Sequence, residues 1–289
     1  MKLKISLILL LFFLLVFSCI EPFDFNITGD GSKSLVIDGL VTNEPGPYIV
    51  YLTKTSDYCE VDNFSPEKVD SAIIVISDNV GNSDTLTETR SGVYETKPEG
   101  IQGIQDRFYK IMIETSDGKQ YESKPEFLRG VPEIDSIYYE FREMRSIDGT
   151  RDNRINVYID TSIPENEGNY FIWCCTSEKN TDIIIADDRY VNGNKIEKKQ
   201  VLSIPANNKD SFDGLYVTIA QFSLTKKAYD YYYSINQQKK MAGTIFEPPP
   251  AIIKGNIQNI HDPKDHVFGY FGASAITRAS IYIPKSAIP

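Results

Sequence analysis

Histidine, tryptophan and cysteine are scarce in this 289-residue chain, which holds two, one and four of them. Two histidines remove the commonest general base and leave carboxylates as the only plentiful acid-base groups. His261 and His266 flank Asp262-Pro263-Lys264-Asp265, whose Asp-Pro step and charges read as a solvated turn rather than a metal centre. Basic runs are missing too. The 30 Lys plus Arg stand against 40 Asp plus Glu, and a formal charge of −10 repels a phosphate backbone, so nucleic acid is not expected as a partner. Gly-x-Ser-x-Gly, Walker and Rossmann loops are absent. Neither a metal nor a cofactor is implied. The chain also lacks the glycine period, charge excess or cysteine density of collagen-like, disordered or disulfide-stapled proteins: it has 41% hydrophobic residues, 18 Gly and 15 Pro. That is a globular composition with room for two modest cores.

Long apolar runs are confined to the first twenty residues. Lys2 and Lys4 precede a stretch from Ile5 to Phe17 relieved only by Ser6. This is shorter than the roughly 20 residues a spanning helix needs, and reads as the apolar region of a signal peptide. Val16-Phe17-Ser18-Cys19 resembles a bacterial lipobox: an aliphatic residue three before the cysteine, a small one directly before it, then the thiol that is acylated. Cys19 is therefore read as the lipidated first residue of the mature protein. Two or three acyl chains, at about 0.8 kcal/mol per buried methylene, hold a protein at a membrane without spanning it. Loss of Lys2 and Lys4 takes the charge from −10 to −12. Ile20 stands where an Asp retains lipoproteins in the inner membrane of enteric bacteria, which favours the outer membrane, on either face. Residues 19–33, with Gly29-Asp30-Gly31-Ser32, read as a short lipidated tether.

Of the three remaining cysteines, Cys174 and Cys175 are neighbours in an apolar run. On a strand they point to opposite faces and act as small hydrophobes, with a bridge from either to Cys59 left open.

From Leu35 the chain reads as strand after strand, rich in Val, Ile, Thr and Tyr and cut by Gly, Pro, Asn and Asp. Leu35–Val41 and Tyr48–Thr53 form an expected antiparallel pair. Ala72–Ser77, Asp84–Glu88, Gly92–Tyr94, Phe108–Thr115 and Tyr121–Lys124 follow, the last two joined by Asp117-Gly118. Seven short strands predict an immunoglobulin-like or transthyretin-like sandwich over 34–130. A second antiparallel β domain is predicted over 131–289, from Ser136–Arg142, Ile155–Asp160, Tyr170–Thr176, Asp182–Ala186, Lys195–Ile204 and Leu215–Phe222, with a turn at Asn192-Gly193. One helix, about 224–241, is predicted from Leu224, Ala228, Tyr231 or Tyr232 and Ile235 at helical spacing, capped by Ser223 or Thr225. Tyr231-Tyr232-Tyr233 invites a sugar-stacking reading, but adjacent helical positions diverge by about 100°, so one or two of the three are expected to pack on the sheet.

Several pieces stand in order along the chain: Leu35-Val36-Ile37-Asp38-Gly39, Gly92-Val93-Tyr94, Asn169-Tyr170, Asp213-Gly214, Leu224 to Tyr231, Asn256-Ile257 and Gly269-Tyr270-Phe271-Gly272-Ala273. Their order resembles a Bacteroidetes outer-membrane lipoprotein family known as domain of unknown function number 4249. The resemblance implies an accessory protein encoded beside TonB-dependent outer-membrane receptors, and supplies no catalytic residues to carry over.

Ser223-Leu224-Thr225-Lys226 fits Ser-x-x-Lys and Ser77-Asp78-Asn79 fits a second penicillin-recognising motif, but their order is reversed and Lys-Thr-Gly is missing. Asp187-Asp188 lacks the ligand ladder of a calcium loop. The expected protein is thus not an enzyme. It is a lipid-anchored binding component of a receptor-barrel or uptake system; the alternatives are a surface adhesin or structural module, and a carboxylate-dependent hydrolase. Glu247-Pro248-Pro249-Pro250 is expected to run outside the second domain. Gly255–Ile257 and Val267–Ala273 are expected to close that domain's sheet, with Tyr270 and Phe271 as a partner-contact edge and Tyr270 exposed.

Overall fold

Alternating burial and turn residues make the strands. The computed structural model describes residues 33–56, 66–145, 149, 151–165, 168–178, 181–189, 195–207, 213–242 and 252–288. The leader, Cys19, the tether up to residue 32, Cys59, the Asn192-Gly193 turn and Pro248-Pro249-Pro250 lie outside the described residues.

β1 (Leu35–Thr42) and β2 (Ile49–Lys54) pair antiparallel as expected, with Ile37 and Val41 turned inward. β3 (Ile73–Asp78), β4 (Ser83–Thr85), β5 (Thr87–Arg90) and β6 (Val93–Glu95) follow. Asp78 organises the β3–β4 turn: its Oδ1 accepts the amides of Val80 and Asn82, and its Oδ2 accepts Nη1 of Arg107 at 2.8 Å. β7 (Phe108–Glu114) turns through Asp117-Gly118 into β8 (Gln120–Ser123) and on to β9 (Glu126–Phe127).

β10 (Ile134–Arg142), β11 (Arg154–Ser162), β12 (Tyr170–Ser177), β13 (Thr181–Asp187), β14 (Lys195–Pro205) and β15 (Leu215–Leu224) come next. Helix α1 (Lys226–Met241) then precedes β16 (Ile257–Asn259), β17 (Phe268–Ser274), β18 (Ile276–Ile283) and a closing 3-10 turn at Lys285–Ala287.

Two sandwiches result. The first stacks the sheet β17-β1-β2-β6-β5 on β16-β8-β7-β3-β4, with Ile37, Leu52, Ile76, Ile111 and Phe271 among the side chains between them. The second pairs β10-β11-β14 with β13-β12-β15-β18 around Trp173, Phe171, Val157 and Ile219. Among the described residues the fold is mostly β with one α-helix, as read from the sequence.

β16 and β17 depart from the expectation. They do not close the second sheet: β16 pairs antiparallel with β8, and β17 runs parallel to β1, Tyr270 opposite Asp38 and Phe271 opposite Gly39. Glycine makes this possible. Gly269 has φ +94°, and a Cβ there would stand 1.8 Å from the carbonyl oxygen of Ile37. A Cβ on Gly255 would meet the carbonyl of Gly269 at 1.6 Å. The close approach that these glycines permit is therefore to neighbouring backbone. Only β18, whose strand the sequence reading did not separate, returns to the second sheet, antiparallel to β15.

The chain passes from the first core to the second at Gly130-Val131-Pro132, and Val131 packs on both. Gln221 donates to the carbonyl of Pro132 at 2.7 Å and accepts from Nε1 of Trp173 at 2.6 Å, while the Ser223 hydroxyl donates to the carbonyl of Arg129 at 2.7 Å. Ser34–Pro289 forms one compact unit.

Candidate functional site: a tyrosine-walled cleft beside α1

Helix α1 begins at Thr225, whose Oγ1 accepts the amide of Ala228 at 3.2 Å, and ends with Lys239 and Lys240, cations suited to the negative end of the helix dipole. The Thr225 hydroxyl also donates to Oε1 of Glu126, and the Tyr270 hydroxyl donates to Oε2 at 3.0 Å. Glu126 is buried, and that burial holds its carboxyl above the usual carboxylate range although both hydroxyls oppose the shift. Burial, then the field of Glu126, pushes the Tyr270 phenol far up. This knot ties the start of the helix to β9 and β17 of the first sandwich.

The four tyrosines of α1, Tyr229 and Tyr231 to Tyr233, diverge as helical geometry requires. Tyr229 faces the second sandwich, its hydroxyl 2.5 Å from Oδ2 of Asp187 and its ring 4.8 Å from that of Tyr170. Arg189, then Tyr229, holds the Asp187 carboxyl down at about 2. Tyr231 and Tyr232 turn to the first sandwich, with ring centroids 4.9 and 5.8 Å from Tyr270. Tyr233 stacks on Tyr229 at 5.5 Å and stays 39% exposed. No common platform forms, and two of the triple tyrosine pack on the sheet.

Between α1 and the stretch Ile252–Asn256 lies a cleft of about 630 Å³. Tyr231, Tyr233, Ser234 and Gln237 form its helical wall, Tyr270 its floor, and Lys124, Lys227 and Lys254 its cationic rim. A smaller hollow of about 230 Å³ shares Lys124 and Lys254–Asn256 and reaches His266 and Phe268. The volume of the larger cleft is that of an ordinary ligand site.

The positions singled out by sequence fall as follows. Tyr270 and Phe271 are 3% and 0% exposed, so the expected exposed edge is corrected: β17 is paired with β1 on one side and its outer face is covered by Tyr231 and Tyr232. Phe271 belongs to the first core, and Tyr270 reaches the cleft only as its floor. Cys174 and Cys175 point to opposite faces and carry free thiols; burial pushes Cys175 up to about 12. In Ser-x-x-Lys the Ser223 hydroxyl is spent on Arg129, and Lys226 pairs with Asp230 at 2.7 Å. His261 contacts Gln120 at 3.1 Å within a turn held by Asn259. Asp188 binds Asn169. Among the described residues, no three His, Cys, Asp or Glu side chains gather as metal ligands. Asp38, open to solvent on one side and walled on the others, is also held above the carboxylate range by burial, yet neither it nor Glu126 lines the cleft. Both acids instead act on Tyr232, whose phenol its burial and their fields push up.

Sequence reasoning missed the cleft. Its helical wall was legible as a polar face, Lys227, Asp230, Ser234 and Gln237, but the facing wall, Ile252–Asn256, runs into the Gly255–Ile257 stretch that was expected in the second sheet and instead leads to β16 beside β8.

The chain belongs to the family described as Domain of unknown function (DUF4249), which matches residues 20–280. No curated protein matches the chain.

Proposed function

We propose that this member of the family is a lipid-anchored outer-membrane protein that acts by binding, as an accessory component of a TonB-dependent receptor or uptake system. The observation that carries the reading is Val16-Phe17-Ser18-Cys19 at the end of a short apolar leader, followed by a tether and a β body. Among the described residues no helix is long and apolar enough to cross a membrane, which is consistent with attachment through acyl chains at Cys19. Binding, rather than chemistry, is supported by the cleft: it offers aromatic, amide and ammonium groups, and its lining carboxylate Asp230 is already paired with Lys226.

Affinity purification of the full chain from detergent-solubilised outer membranes tests the reading. A receptor barrel co-purifying in stoichiometric amount is the expected result. Recovery of the protein alone, under conditions that preserve other lipoprotein–barrel pairs, would contradict it.

A further inference from the structure

The cleft beside α1 is cationic in an acidic protein. Lys124, Lys227 and Lys254 line it, all three are exposed, and none forms an ion pair among the described residues. The chain as a whole carries a formal charge of −10. Unpaired ammonium groups on a shared concave wall attract anions and raise their local concentration.

The cleft is also polarised along its length. Lys227 stands at the first turn of α1, close enough for its field to act on Glu126, and the Lys124 amide donates at 2.8 Å to the carbonyl of Asn256, whose side chain bonds that same Glu126. Gln237 lies ten residues on, roughly 15 Å along the helix axis at 1.5 Å per residue. Between them Tyr233 presents a ring braced by its stack on Tyr229. A braced aromatic contributes contact area at little cost in side-chain entropy.

Compact inorganic anions fit this arrangement poorly. The helix N-terminus, their usual seat, is taken: Thr225 caps it and is itself bound to Glu126. No arginine lines the cleft to grip a phosphate with two parallel bonds. What remains is a set of spaced single charges beside an aromatic face and an amide.

We propose that this cleft binds a ring-bearing organic carboxylate, an acidic sugar or its conjugate, with the carboxylate at Lys124 and Lys227 and a ring face against Tyr233. The proposal rests on the reading of the protein as a binding component and names the ligand class of that same site.

The test uses the detergent-solubilised full chain and two fluorescent probes that differ in one carboxylate, 4-methylumbelliferyl glucuronide and 4-methylumbelliferyl glucoside. The glucuronide should bind at least tenfold more tightly, and the advantage should shrink with added salt. K124A/K227A should bring its affinity down to that of the glucoside, while Tyr233→Ala should weaken both probes. All three side chains are exposed, so the variants should melt with wild type. Equal binding of the two probes overturns the proposal, as does an unchanged glucuronide affinity in K124A/K227A. Displacement by inorganic phosphate as effective as by unlabelled glucuronate would make the site a simple anion hole and also overturn it, as would no binding of either probe at millimolar concentration. None of these outcomes touches the lipid anchor or the receptor association, which fail or stand on the purification experiment.

Discussion

The first sandwich takes β1–β9 from residues 35–127 and is completed only by β16 and β17, which begin 130 residues after β9 ends. The second builds all but one of its strands from the consecutive run β10–β15 and adds β18. One core is therefore closed by the far end of the chain and the other largely by neighbours. The difference teaches that a composition change at Gly130-Val131-Pro132 locates a change of core, whereas ownership of later strands is decided by pairing. Non-local pairing also costs loop-closure entropy before it stabilises anything, so the first core is expected to finish folding last.

The strongest way to break the comparison is to cut the chain. A protein ending at Gly130 keeps β1–β9 but loses the parallel partner of β1 and the antiparallel partner of β8. It should show no cooperative thermal transition by circular dichroism. A sharp melt would mean that 34–130 is self-sufficient and that β16 and β17 are dispensable.

Next in size are core truncations. Phe271→Ala empties a site in the first core and Trp173→Ala one in the second, each expected to cost about 3–5 kcal/mol in denaturant unfolding. Because Phe271 comes from the strand next to β18, both variants should unfold in one transition by calorimetry. Two separated transitions in either would show that the cores are energetically independent.

Gly269→Ala sharpens the same point at backbone level. The added methyl would meet the Ile37 carbonyl in a left-handed conformation, and the loss should be about 3 kcal/mol. Gly81, with φ +98° and nothing within 4 Å, is the control. Its alanine variant should lose only about 1 kcal/mol, from backbone strain alone. Similar losses at the two sites would remove close approach as the reason for Gly269.

Smallest is a pH effect that separates the two ends of the α1 contact. Asp187 titrates at about 2 in the folded protein against an ordinary 3.8. Its contribution is therefore fully present above the ordinary value and lost as pH falls from about 4 to 2. With Arg189 largely in solvent it should amount to about 1 kcal/mol. Glu126 has the opposite sign: its folded pKa is raised, so the stability it lends is present below the ordinary carboxylate value and lost as pH rises through the raised one. Asp187→Asn should flatten the acid limb of the stability profile and Glu126→Gln the limb above it. An unchanged profile in both variants would contradict these assignments.

Strand positions and the helix were readable from sequence for a physical reason: alternation and 3.6-residue spacing state which face of an element is buried. They do not state against what. Val267–Ala273 reads as a strand in either sandwich, and only the fit of Gly269 against Ile37 decides. The glycines around Tyr270 likewise permit approach by a ligand or by a strand, and the parallel pairing with β1 settles it for the strand. Thr225 was legible as a cap, but its second bond, to Glu126 about a hundred residues earlier, was not. The cleft combines Lys124, α1, Ile252–Asn256 and Tyr270, four segments with no shared period.

The central claim, a binding protein held to its membrane by lipid, is tested most directly at Cys19. In a two-phase detergent partition of cell extracts, the wild-type protein should enter the detergent phase and Cys19→Ser should move to the aqueous phase while keeping the wild-type melting curve. A serine variant that still partitions into detergent would contradict the account.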